Sequence, residues 1–160
     1  SGEFLKSQGA GSVPVFAAAG GNTGEYVFRV TKSGPQTINA TATTTLTFDT
    51  ETFDIGSGFA SNKFTVPTGK DGTYYFSLGV IPNEDLASDK FQAAIDVNGG
   101  GVSFTANSGS SGTYRAGITL SAVCNLSADD YVSASVFQQT SGSITISGGS
   151  FCYFQGFRIT

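Results

Sequence analysis

The chain has no histidine, no methionine and no tryptophan. It has two cysteines, four prolines and only 12% charged residues in a length of 160. Each shortage excludes something. Without histidine there is no Ser-His-Asp or Cys-His relay for nucleophilic catalysis. Histidine-ligated metal sites are excluded too, and two cysteines cannot build a thiolate zinc cage. Eight basic residues stand against twelve acidic ones, for a net charge of −4. That balance lacks the basic patch that a nucleic-acid partner requires. No apolar run is long enough for a transmembrane helix, so no membrane insertion is expected.

What is present points to a folded β protein. Fourteen phenylalanines and six tyrosines supply large apolar surfaces. Leu, Ile, Val and Phe make up about a quarter of the chain, above the level at which disorder becomes the default. Phe, Tyr, Val, Ile and Thr abound while helix formers are sparse. The length suits one domain.

Two regions differ in pattern. Residues 1–25 show no period, and glycines at 9, 11, 20, 21 and 24 with Pro14 punctuate them. They read as a linker or collar, within which Ser1-Gly2-Glu3-Phe4 reads equally as an expression scar. From Tyr26 to Thr160, short alternating runs follow one another, each closed by turn residues. Strands are expected at 26–30, 44–48, 63–66, 73–81, 91–97, 118–126, 131–137, 144–146 and 151–159. The strongest is Thr73 to Ile81, with Tyr74, Phe76, Leu78 and Val80 on one side. No helical segment competes. The expected class is all-β, an antiparallel two-sheet sandwich. Many outward strand positions carry Thr or Ser rather than Lys or Glu. So little surface charge beside so many aromatics suggests faces that meet other subunits.

Three motifs then carry a resemblance. Asn62-Lys63-Phe64-Thr65-Val66-Pro67 is followed by Gly72-Thr73-Tyr74-Tyr75-Phe76-Ser77. Leu126-Ser127-Ala128-Asp129-Asp130-Tyr131-Val132 comes later, and Phe154-Gln155-Gly156-Phe157 closes the chain. In order and spacing they resemble the globular head of complement C1q, within the tumour-necrosis-factor jelly-roll superfamily. Asn62-Lys63 stands where the family has Gly-Arg or Gly-Lys, and Asp129 replaces a glycine. The resemblance covers residues 26–160 and implies a jelly roll that assembles as a homotrimer, with aromatics along the three-fold axis. By motif position Phe154, with Tyr153 or Tyr75 beside it, is expected at that axis. A second, shorter resemblance lies in Leu5-Lys6-Ser7-Gln8-Gly9-Ala10-Gly11-Ser12-Val13-Pro14-Val15-Phe16, which looks like an element of bacteriophage tail fibres and other virion appendages.

Candidate chemistry is sparse. Cys124 shares parity with Leu120 and Leu126, and Cys152 with Phe154. Both read as small buried hydrophobes, with a disulfide across the sandwich left open. A paired-carboxylate glycosidase is the one catalytic scheme the composition permits, but such folds are usually far larger. No enzyme, cofactor or metal is therefore expected. Recognition is expected instead, through the polar loops Asn83–Asp89, Gly99–Gly101, Asn107–Gly112 and Gln138–Ser143. Asn107, Tyr114, Tyr131 and Gln139 are the candidate contacts. The resulting expectation is a non-enzymatic trimeric head of a viral, phage-type fibre, exposed on the virion surface or outside cells. It would attach to a host-surface glycan or protein. A secreted C1q-like ligand and a purely structural trimerisation cap are the alternatives.

Overall fold

The computed structural model describes residues 3–18, 26–84, 86, 90–108 and 117–160. Fifteen strands and no helix occur among them. A hairpin comes first, β1 (Glu3–Lys6) and β2 (Val15–Ala18). Then follow β3 (Val27–Lys32), β4 (Gln36–Ile38), β5 (Thr43–Thr45), β6 (Thr50–Ile55), β7 (Phe59–Ala60) and β8 (Lys63–Thr65). The longer strands are β9 (Gly72–Val80), β10 (Lys90–Val97), β11 (Gly100–Ser108), β12 (Ile118–Leu126) and β13 (Tyr131–Gln138). The chain closes with β14 (Ile144–Ile146) and β15 (Gly149–Arg158).

Two antiparallel sheets form the sandwich. One has the order β12-β9-β15-β3-β6. The other runs β11-β10-β13-β8-β7, with β5 also paired to β13. β14 and β4 make a small separate pair. The alternation between sheets along the chain, with the last strand lying between β9 and β3, is that of a jelly roll.

Side-chain alternation builds the core. In β9, Tyr74, Phe76, Leu78 and Val80 point inward and are fully buried. In β10, Phe91, Ala93 and Ile95 do the same. Between the sheets Phe28 stacks on Phe59 and Phe64 at 5.1 and 5.3 Å and meets the edge of Phe154 at 5.2 Å. Phe76 joins at 5.8 Å from Phe64 and 6.0 Å from Phe154. The buried Tyr74 satisfies its hydroxyl by donating to the Lys70 carbonyl at 2.7 Å. Backbone space matters where β9 meets β15. A side chain at Gly156 would strike the Phe76 ring, so the strand stays bare there to admit it.

Turn chemistry fixes two registers. β10 and β11 are joined by Asn98 and Gly99, with φ of 51° and 82°. β7 and β8 are joined by Ser61 and Asn62, with φ of 51° and 63°. Positive φ at both central residues is the geometry whose twist suits a two-residue hairpin. Asn62 adds a second hold, accepting from the Phe48 amide through Oδ1 at 2.8 Å.

The N-terminal stretch departs from expectation, because a hairpin forms where the sequence has no period. Gly9 and Gly11, both at positive φ, lie in its connection. Every side chain from Leu5 to Phe16 is exposed, so no buried face imposes an alternation.

The aromatic stack makes a direct prediction. Phe76→Ala removes a fully buried ring touching both sheets and should cost about 3–5 kcal/mol. Urea unfolding followed by far-UV circular dichroism measures it; a loss below about 1 kcal/mol would show that the stack does not hold the sheets together.

Candidate functional site

The sandwich has two outer faces, and they differ in chemistry. On the β12-β9-β15-β3-β6 sheet, outward positions form rows across the strands. One row is Val123, Tyr75, Phe157, Val27 and Ile55, each paired in register with the next. The next is Ser121, Ser77, Gln155, Arg29 and Phe53. The third runs Thr119, Gly79, Tyr153 and Thr31. The first row is apolar from end to end, and much of it faces solvent, with Val123 65% and Ile55 54% exposed. Tyr75 and Phe157 lie ring against ring at 5.2 Å. A cavity of about 180 Å³ opens between Val27, Phe53, Tyr75, Gln155 and Phe157.

Arg29 is the one charged side chain in these three rows. It donates to Gln155 Oε1 and lies 4.6 Å from the centre of the Tyr153 ring. Tyr153 in turn lies over Gly79, whose lack of a side chain leaves room for the ring.

Of the residues expected at the axis, Tyr75 and Tyr153 sit on this face, half-buried. Phe154 does not. It points inward, is 0% exposed and packs among Phe28, Phe48, Phe59 and Phe76. Its expected place at an axis is corrected: a ring wholly enclosed by its own protomer has no surface left for another. Phe157, two rows from Tyr153, is an outward phenylalanine of this stretch.

The outer face of the second sheet is polar and concave. A cavity of about 550 Å³ is lined by Thr43, Lys90, Gln92, Ala94, Asp96, Ser135, Phe137 and Gln139 among others. A second, of about 270 Å³, is lined by Thr45, Asn62, Lys63, Tyr131 and Ser133 among others. They share Thr43, Asp96, Gly99 and Ser135, so they form one groove. Three rows make its floor: Gln92–Phe137–Thr43, Ala94–Ser135–Thr45 and Asp96–Ser133–Lys63. Lys63 Nζ lies 4.5 Å from the Tyr131 ring centre and Lys90 Nζ 5.8 Å from that of Phe137.

Of the expected contacts, Tyr131 and Gln139 line this groove, at opposite ends. Asn107 pairs with Phe91 within β11, so it belongs to a strand rather than a loop. Tyr114 lies outside the described residues. Gly100 and Gly101, expected in a loop, also belong to β11. Gln138, expected at a loop end, is fully buried; its amide donates to the carbonyls of Ile38 and Gly142 and its Oε1 accepts from Thr140. The first loop is tied at its start, where Glu84 accepts from the Thr145 amide and hydroxyl, both at 2.8 Å. Gln92, Asp96, Phe137 and Lys63 were not anticipated. Their signal was the outward parity of strands whose inward residues were already assigned to the core.

Among the described residues, Asp96 is the one carboxylate in the groove lining. Cys124 and Cys152 are free thiols, half-buried and buried. Burial pushes the Cys152 thiol up to about 11, which the nearby Lys32 ammonium offsets only in part. Burial raises Cys124 as well. Lys32 is itself buried, and it donates to Gln36 Oε1, Thr47 O and Thr47 Oγ1 at 2.9, 2.6 and 2.9 Å. At the rim, Asp130 is held below its ordinary range by the Asn98 side-chain amide and then by the Ser127 backbone. Asn98 accepts in return from the Tyr131 amide at 3.0 Å. Among the described residues, no three His, Cys, Asp or Glu side chains gather as a metal site would require.

No known family model and no curated protein sequence matches this chain. Solved structures do. The globular domain of zebrafish complement 1qA superposes with a TM-score of 0.55 at 18% identity, covering 84% of this chain and 98% of that one. An Eiger TNF from S. frugiperda gives 0.60 at 12% identity, with 84% and 92% covered. Murine APRIL gives 0.60 at 13% identity, with 82% and 96% covered. The chain thus has the jelly-roll fold of C1q and TNF domains.

Two outcomes follow. In the native protein Cys152 should resist Ellman's reagent near neutral pH and react only on unfolding, because its thiolate is disfavoured and enclosed; stoichiometric labelling of Cys152 in the folded state would contradict this. The lowered Asp130 means that the unfolded chain binds its proton more readily. Its contribution is therefore present above about pH 4 and lost as pH falls below it. The urea midpoint of wild type should fall more steeply than that of Asp130→Asn on acidification, and parallel curves would remove Asp130 from the acid response.

Proposed function

We propose that this chain is a non-enzymatic recognition head that assembles as a homotrimer through the outer face of the β12-β9-β15-β3-β6 sheet. The observation that carries the reading is the row Val123, Tyr75, Phe157, Val27 and Ile55 on that face. An exposed apolar strip crossing a whole sheet marks an interaction surface rather than a solvated one. Closed cyclic symmetry lets identical chains cover such strips with none left over. The C1q and TNF resemblance supports three as the number, and Tyr75 and Tyr153 with Phe157 supply the aromatics for the axis.

The head acts at the tip of a viral, phage-type appendage, on the virion surface, and attaches to a host-surface glycan or protein. The resemblance of Leu5–Phe16 to fibre elements supports that setting. The absence of histidine and the single carboxylate among the described residues of the groove support binding without catalysis.

Sedimentation equilibrium tests the assembly. Wild type should have a mass near three times 16.4 kDa at micromolar concentration. Phe157→Glu should shift it toward the single-chain mass while keeping the β-type circular dichroism, since Phe157 lies outside the core. A wild-type mass of one chain sinks the trimer.

A further inference from the structure

We infer that the groove across the β10, β13 and β5 strands is a binding site for a short uncharged saccharide. This rests on the recognition-head reading and names the ligand class of its second face.

The chemistry of the floor selects the ligand. Rows two residues apart along a strand are spaced by about 6.5 Å, so the three rows extend far enough for a di- or trisaccharide. The combined cavities fall in the range of about 300–1,000 Å³ usual for small-molecule sites. Asp96 can only accept hydrogen bonds, the lysines can only donate, and Gln92 and the Ser and Thr hydroxyls do both. Asp96 and Gln92 have no side-chain hydrogen-bond partner among the described residues. A ligand matching this mixture must offer closely spaced groups that both donate and accept, as vicinal hydroxyls do. Apolar patches lie between these polar groups: Ala94 at the centre, with the Phe137 and Tyr131 rings at the two ends. These suit the C–H faces of pyranose rings.

Other ligand classes fit less well. β10 and β13 are paired on both sides, so an extended peptide finds no free main chain to extend the sheet. A polyanion would meet Asp96 on the groove floor and a net charge of −4 overall. A metal cation would find one carboxylate among the described lining residues, with the ammonium groups of Lys63 and Lys90 in the same lining.

The test is an NMR titration of the intact ¹⁵N-labelled chain. The probes are neutral trisaccharides of glucose, galactose, mannose and their N-acetylated amines, with a sialylated trisaccharide as the charged arm. At least one neutral probe should shift amides of residues 92–96 and 133–137 saturably. Asp96→Ala and Phe137→Ala should each weaken that binding roughly tenfold or more while preserving native dispersion. The inference is overturned by no saturable shift up to tens of millimolar, by shifts that both variants leave intact, or by binding of the sialylated probe alone. Sedimentation of the same samples separates the two readings: an intact trimer that binds no saccharide loses this inference and keeps the head.

Discussion

The phenylalanine stack between the sheets is the constraint on which both faces depend. Phe28 comes from β3 near the start of the domain, Phe76 from its middle and Phe154 from its last strand. Their contact brings distant segments together and holds β3, β9 and β15 side by side. Because side chains alternate along a strand, each inward ring also fixes its neighbours. Phe76 inward sends Tyr75 and Ser77 outward, Phe154 sends out Tyr153 and Gln155, and Phe28 sends out Val27 and Arg29. A slip of one residue would bury Arg29 in β3 or Gln155 in β15, and in each of the three strands it would expose a phenylalanine. The apolar strip is thus the reverse side of the core.

The same logic makes the other face polar. Phe91, Ala93 and Ile95 pack inward, so Gln92, Ala94 and Asp96 must face out; Val132, Ala134 and Val136 leave Ser133, Ser135 and Phe137. The groove arises because small residues, Ala94, Ser133 and Ser135, stand in adjacent rows while longer ones surround them. Nothing in the core requires small polar residues there. By contrast, Gly156 is small because Phe76 needs the space.

Much of this was legible in the sequence. β9, β10 and β12 alternate so regularly that their ranges and inward residues could be read directly, and the range of β13 was close to that expected. Five kinds of feature were not. β11 opens with Gly100 and Gly101, and glycine punctuates more often than it pairs. β4 and β7 span only three and two residues, too few for alternation to register. β6 bears Phe53 and Ile55 outward, so its hydrophobic residues mark an outer face rather than a core. Phe154 failed for a related reason. Phe151-Cys152-Tyr153-Phe154-Gln155-Gly156-Phe157 carries large apolar residues on both parities, so only the packing decides which ring is enclosed. The groove rows join residues 43, 92 and 137, a juxtaposition that depends on cross-strand register and leaves no local trace.

The two faces also divide the work without competing. Stacked sheets lie about 10 Å apart, so their outer faces point in opposite directions. In the proposed trimer the apolar face turns toward the axis, and the groove is carried on the side away from it. Each protomer of that trimer then presents one groove outward, the three related by the three-fold axis. That arrangement also accounts for the scarcity of charge. Charge on the strip would oppose assembly through desolvation, and strong charge of one sign in the groove would draw ions in place of neutral hydroxyls. Arg29 is tolerated beside the strip because Gln155 and Tyr153 already engage it within its own protomer.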